Sequence, residues 1–261
     1  MTQAPTTAPP ETAVPTLEVS GLRKRYRTGK VALDGVSLAA RAGELTVVLG
    51  PNGCGKSTLV RCVARLTDPT SGEVRIGGVD WSGLRGRRLG AARRQVAVIS
   101  QGSILIPRRS ALANVAMGCL GRHRGPITLA GGFPRDELVL ARAALARVGL
   151  DDLAEQRADT LSGGQAQRVG IARALVQAPS LLLADEPVAS LDPDGTVEVM
   201  TLLRQLTRDE GLAVVCVLHQ LDTALAFADH VVGMRAAQVV LDLPRTDLEE
   251  GALQDLYRDA A

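Results

Sequence analysis

Residues 50–58 read GPNGCGKST, directly after the apolar run Leu45–Leu49 and directly before LVRCVARL, whose apolar residues recur at helical spacing. Few folds accept G-x-x-x-x-G-K-[ST] between a strand and a helix. Glycines at 50, 53 and 55 let the backbone curl until successive N–H groups point inward, an anion nest at a helix N-terminus where the dipole also favours negative charge. Lys56 is then expected to reach the β- and γ-phosphates of a nucleotide, and Ser57 to offer its hydroxyl to Mg²⁺. Pro51, Asn52, Cys54 and Thr58 complete the expected cradle.

Short runs rich in Val, Ile and Leu recur between helix-length segments, at Leu45–Leu49, Val96–Ile99, 181–184 and 214–218. Runs so little interrupted by polar residues suit strands buried on both faces of a parallel sheet, which makes the class α/β. Between the second and third strands lies a long stretch, 101–160, expected to be an inserted helical subdomain. In it Leu138, Leu140, Ala141, Ala144, Leu145 and Val148 fall at helical spacing. The opening residues 1–15, rich in Pro, Thr and Ala, read as a disordered tail with neither the basic start nor the apolar core of a secretory signal. The main domain is expected over 16–242 and a C-terminal helical extension over 243–261.

Composition closes several other routes. The 261 residues suffice for one large domain or a domain with a subdomain. The longest uncharged apolar run has seven residues, 212–218, where about 20 are needed to cross a bilayer, so the chain is not expected to form a membrane channel. Cys54, Cys62, Cys119 and Cys216 have no metal-ligand spacing and are expected to be reduced thiols. Aromatic residues make up only 2% of the chain, too few for a platform on which nucleic-acid bases stack. Charge is placed unevenly: residues 81–135 carry ten arginines and no acid, whereas 136–261 carry ten basic and 21 acidic side chains. That basic stretch faces a membrane surface or an acidic partner, or it is a solvated face pairing with the acidic last third.

A second half of a phosphate site follows the third strand. Asp185 and Glu186 stand at its end, at the carboxyl edge where open α/β sheets bind ligands. An acidic pair there is also ordinary turn chemistry, but beside a phosphate loop one carboxylate can hold Mg²⁺ while the other orients or deprotonates an attacking water. Then comes LSGGQ at 161–165, followed by AQRVGIARAL. This segment resembles the signature motif of ATP-binding cassette (ABC) proteins; Ser162, Gly163, Gly164 and Gln165 would form a second anion cradle at a helix start. The resemblance, over about residues 16–242, implies a P-loop NTPase of the ABC type: a RecA-like parallel core, an antiparallel β subdomain and the helical insert. It implies ATP and Mg²⁺ as ligands, and a head-to-tail pair of copies in which each ATP lies between one phosphate loop and the partner's signature.

Other positions match the family one by one. Tyr26 stands where an aromatic ring stacks on adenine, although it could be a core tyrosine. Gln101 matches the glutamine that touches Mg²⁺ and water, and 190–192 (SLD) matches a loop at the dimer interface. His219 matches the histidine that contacts the γ-phosphate. The segments around LSGGQ, CLGRH, LHQLDTALAFADHVVGMR and a tail ending in LYRD resemble the ATPase subunits of bacterial phosphonate importers. Such a subunit works on the cytoplasmic face of the cell membrane with transmembrane permease subunits and, through them, an extracytoplasmic substrate-binding protein, with no nucleic acid involved. Ser100, the glycine-free RAAQVVLDLP and the basic SILIPRRS depart from the pattern. Importers of other small solutes, such as polar amino acids or chelated iron, and non-transport cassettes of DNA repair or the ribosome are the alternatives.

Overall fold

The computed structural model describes residues 16–100, 102, 105–122, 132–248, 251, 253, 256 and 257. The expected N-terminal tail, Gln101 and much of the C-terminal stretch lie outside the described residues. In chain order the strands are β1 (Leu17–Arg25), β2 (Val31–Ala40), β3 (Leu45–Leu49), β4 (Ser71–Ile76), β5 (Val79–Asp80), β6 (Val96–Ile99), β7 (Leu181–Asp185), β8 (Ala213–Val217), β9 (His230–Arg235) and β10 (Gln238–Pro244). The helices are α1 (Lys56–Val63), α2 (Gly86–Ala92), α3 (Ala111–Ala116), α4 (Arg135–Arg147), α5 (Gly163–Leu175), α6 (Pro193–Glu210) and α7 (Leu221–Phe227).

The four apolar runs form four neighbouring strands of one sheet, whose order is β10-β9-β3-β8-β7-β6. All pairings from β9 to β6 are parallel, and β10 returns antiparallel along β9. Side chains alternate across a strand, so one strand serves two cores. Leu45, Val47 and Leu49 of β3, with Leu182 and Ala184 of β7, pack among the helices α3 to α7. Val48 of β3, with Leu181 and Leu183 of β7, packs instead with α1, with Trp81 and with the second sheet, an antiparallel one of order β2-β1-β4-β5. Both faces of the central strands are therefore dry, which is why their sequences lack an alternating polar pattern.

The segment expected to be a helical insert contains α3 and α4, which pack on each other and on α5. In α4 the buried residues are Glu137, Ala141, Ala144 and Leu145, a stripe of period 3.6, with Val148 buried just beyond the helix. Leu140, expected on that stripe, is 50% exposed beside Val139, because it lies a quarter turn off the Ala141–Ala144 line. Glu137 is buried there because Arg122 meets its carboxylate at 3.0 Å. Strand β10 runs to Pro244, two residues into the stretch expected to be a helical extension, and a short 3₁₀ turn, Arg245–Asp247, follows it. Among the described residues no helix is long and apolar enough to cross a membrane.

Candidate functional site: a phosphate cradle at the carboxyl edge of the parallel sheet

The sheet order decides which residues meet. Strands β3, β8 and β7 lie side by side, so the residues just past their carboxyl ends, Gly50, His219 and Asp185-Glu186, face a common edge. A cleft of about 280 Å³ opens there; its walls include Tyr26, Asn52, Gly53, Gly55, Lys56, Ser57, Thr58, Glu186 and His219. Sequence-predicted residues more than 190 positions apart thus share one cavity.

The loop between β3 and α1 takes its shape from its glycines. Gly50 has φ +147°, and a Cβ there would lie 2.1 Å from the Met234 carbonyl oxygen. Gly55 has φ +118°, and a Cβ there would lie 2.3 Å from the Ala32 carbonyl oxygen. Only glycine meets both demands, an unusual φ and a backbone neighbour at contact. Gly55 is also the N-cap of α1, and no side chain caps the helix. The N–H groups of its first turn are left for an external acceptor, as the anion nest requires. Lys56 is buried, and its ammonium donates to the carbonyls of Gly50 (2.6 Å) and Pro51 (3.1 Å), bridging the loop from within.

Two carboxylates complete the edge in unlike surroundings. Asp185 ends β7 and accepts a hydrogen bond from Ser57 Oγ at 3.0 Å. Burial pushes its carboxyl above the ordinary aspartate range, helped by the adjacent charge of Glu186 and opposed by the Ser57 hydroxyl. Glu186 turns the chain out of the strand with φ +55°, in the left-handed region that L residues seldom adopt. Its Oε1 lies 2.5 Å from His219 Nε2. The donors near the loop, a hydroxyl and a carboxylate, are the oxygen type that a hard divalent cation takes together with phosphate oxygens.

Tyr26 stands at the rim, its hydroxyl 3.5 Å from Thr58 Oγ1 and its ring 5.2 Å from Lys24 Nζ. The signature residues lie elsewhere. Ser162 caps α5: its hydroxyl accepts from the Gln165 N–H at 3.2 Å, while its own N–H donates to Gln165 Oε1 at 2.9 Å. This capping box orients Gln165 and leaves Ser162 and Gly163 exposed. The 190–192 loop packs beside it, for a Cβ on Gly163 would meet Leu191 Cδ2 at 3.4 Å. Asp192 caps α6 through the Gly195 N–H at 2.8 Å. None of Ser162, Gly163, Gly164 and Gln165 is among the residues that line the cleft at the phosphate loop.

Sequence reasoning missed Lys30 and Ala32, which line the same cleft from the β1–β2 hairpin. It also missed Tyr257, whose hydroxyl accepts from the Gly50 N–H at 3.2 Å. The LYRD tail had drawn notice only for its resemblance, and nothing local links it to a loop some 200 residues earlier.

Comparison with known proteins agrees with this geometry. The ABC transporter family profile matches residues 33–189. A protein of Wolinella succinogenes named "Phosphonates import ATP-binding protein PhnC" is 46% identical over 92% of this chain and 88% of its own length. Another so named, from Thiobacillus denitrificans, is 46% identical over 93% and 92%. Among solved structures, the dimeric ATP-binding cassette MJ0796 in a post-hydrolysis state with ADP and Pi superposes with a TM-score of 0.76 at 31% identity, covering 88% of this chain and 98% of that one. The ADP form of the cassette MJ1267 superposes at 0.83 with 24% identity, over 95% of this chain and all of that one, a likeness of fold. Phosphate loop, carboxylate pair, strand-end histidine and signature helix thus stand on the fold of these cassettes, and the chain belongs to the ABC transporter family.

Proposed function

We propose that this chain is the ATP-hydrolysing subunit of a phosphonate importer, working as a pair against permease subunits on the cytoplasmic face of a membrane. The observation that supports this best is the convergence of the phosphate loop, Glu186 and His219 in one cleft, with Asp185 hydrogen-bonded to Ser57 of its wall, in a chain whose relatives carry phosphonate import in their names.

ATP enters with its phosphates over the loop 53–58 and its adenine toward Tyr26. A γ-phosphate offers Lys56 a charged acceptor, stronger than the two carbonyls it holds in this structure. Ser57 Oγ and Asp185 are the residues that would hold Mg²⁺, with Gln101 proposed as a further contact. When bound, the ion neutralises charge on the β- and γ-phosphates. Glu186 orients the attacking water and accepts its proton, and His219 fixes the Glu186 carboxylate while facing the γ-phosphate. The exposed signature of α5 completes the site on a second copy, so ATP joins the pair and hydrolysis releases it. The dimeric state of MJ0796 supports this arrangement.

The phosphonate itself is read by a binding protein outside the membrane, and this chain converts closure of the pair into rearrangement of the permease. A strain lacking the chain is expected to stop growing on an alkylphosphonate as its only phosphorus source while growing normally on phosphate. Equal growth on both would overturn the phosphonate assignment.

A further inference from the structure

A second, open hollow of about 620 Å³ adjoins the phosphate loop; it shares Asn52, Gly53 and His219 with the cleft and is bordered further by Pro51, Cys54, Arg235 and Tyr257. Two hydrogen bonds tie the loop to its neighbours on this side. The Ala237 N–H donates to the Cys54 carbonyl at 3.2 Å, and the Gly50 N–H donates to the Tyr257 hydroxyl at 3.2 Å.

Tyr257 is brought there by a built anchor. The described residues 251, 253, 256 and 257 have helical backbone, and Leu253 and Leu256 are 1% and 2% exposed within the helical core. Leu256 seats over β9 where Gly233 has no side chain; a Cβ there would lie 3.3 Å from Leu256 Cδ1. The next residue, half-buried Tyr257, then reaches the loop. Gly50 is held on both sides of its α-carbon: its N–H by Tyr257 and its carbonyl by the Lys56 ammonium at 2.6 Å.

We propose that Tyr257 is a positioning residue for ATP hydrolysis, acting through Gly50 on the Lys56 ammonium, so that the C-terminal segment sets the affinity of the phosphate loop. The inference rests on the ATPase reading above and adds to it a residue outside every motif of the cleft. Lys56 holds phosphate in both ground and transition states, so loss of its positioning raises KM more than it lowers kcat.

The test uses the full chain with two variants. Tyr257→Phe removes only the hydroxyl; Leu253→Ala loosens the same segment and keeps it. For Tyr257→Phe, KM for MgATP and Kd for a fluorescent ATP analogue are expected to rise about fivefold, the ratio carried by a typical neutral hydrogen bond. Its kcat and Tm should stay near the wild-type values, and the Gly50 amide should exchange faster with deuterium. Leu253→Ala, which loosens the anchor but keeps the hydroxyl, should lower Tm and raise KM and Kd by less than Tyr257→Phe does. Unchanged KM and Kd in Tyr257→Phe, or an equal rise in both variants, would overturn the proposal. Absence of turnover in the wild type would instead count against the ATPase reading, with the Kd comparison still testing Tyr257.

Discussion

Asp185 and Glu186 are adjacent in sequence, yet each has its own partner and its own proposed task. Asp185 is held by Ser57 and its carboxyl is raised by burial, so in the nucleotide-free chain its charge opposes folding at neutral pH. A carboxyl raised in the folded state favours folding while protonated, and this contribution is lost as pH climbs through the raised value. Asp185→Asn keeps an acceptor for Ser57 and removes the charge. It is expected to melt higher than the wild type at neutral pH, with the gap closing as pH falls through the raised Asp185 pKa, and to lose ATP turnover. Thermal melts at several pH values with an ATPase assay check both parts; a lower melting point at neutral pH would contradict the account. The thiols give a second residue-scale expectation. All four are buried, and burial pushes Cys62 up to about 11 and Cys119 up to about 12. Thiolate is the reactive form, so a disulfide reagent should label all four cysteines slowly in the native chain and rapidly in denaturant. Rapid native labelling of Cys54 would show that the phosphate loop opens.

At the scale of elements, the strand-loop-helix unit of β3 and α1 was the most legible part of the chain, because its glycines answer to backbone demands. Gly55→Ala sets a Cβ against the Ala32 carbonyl in addition to a strained φ. It is expected to cost about 1–3 kcal/mol or more of stability by denaturant unfolding and to abolish ATP-analogue binding. Gly53→Ala meets no atom within 4 Å and bears only the φ penalty of roughly 1–2 kcal/mol. Equal effects of the two would contradict the packing argument. Four of the five parallel strands were legible as apolar runs to within one or two residues, and β9 was not among them. The antiparallel sheet was not, for a physical reason: Leu17, Val19 and Leu22 of β1 are buried, but the register shifts at Gly21 and breaks the alternation. The exposed Leu140 shows the same limit in α4, where apolar residues do not all face inward.

At the scale of the whole molecule, the sheet order gathers what the sequence scatters. Glu186 and His219 could be named from motifs, but their 2.5 Å contact depends on β7 and β8 being neighbours. The Tyr257 contact was illegible because no periodicity spans the distance to Gly50. That the signature residues do not line the cleft at the phosphate loop carries its own expectation. Glu186→Gln should dimerise when ATP is added, by light scattering, because it is expected to bind nucleotide and to turn it over slowly. Changing Ser162→Arg as well should keep it monomeric. The most direct measurement is uptake of a labelled alkylphosphonate by cells lacking this chain, supplied with the wild type or with Glu186→Gln. The account predicts that the wild type restores uptake and the glutamine variant does not, with ATP turnover reduced about 10²–10⁴-fold. Uptake that neither form restores, from a wild type that dimerises and hydrolyses ATP, would contradict the phosphonate assignment.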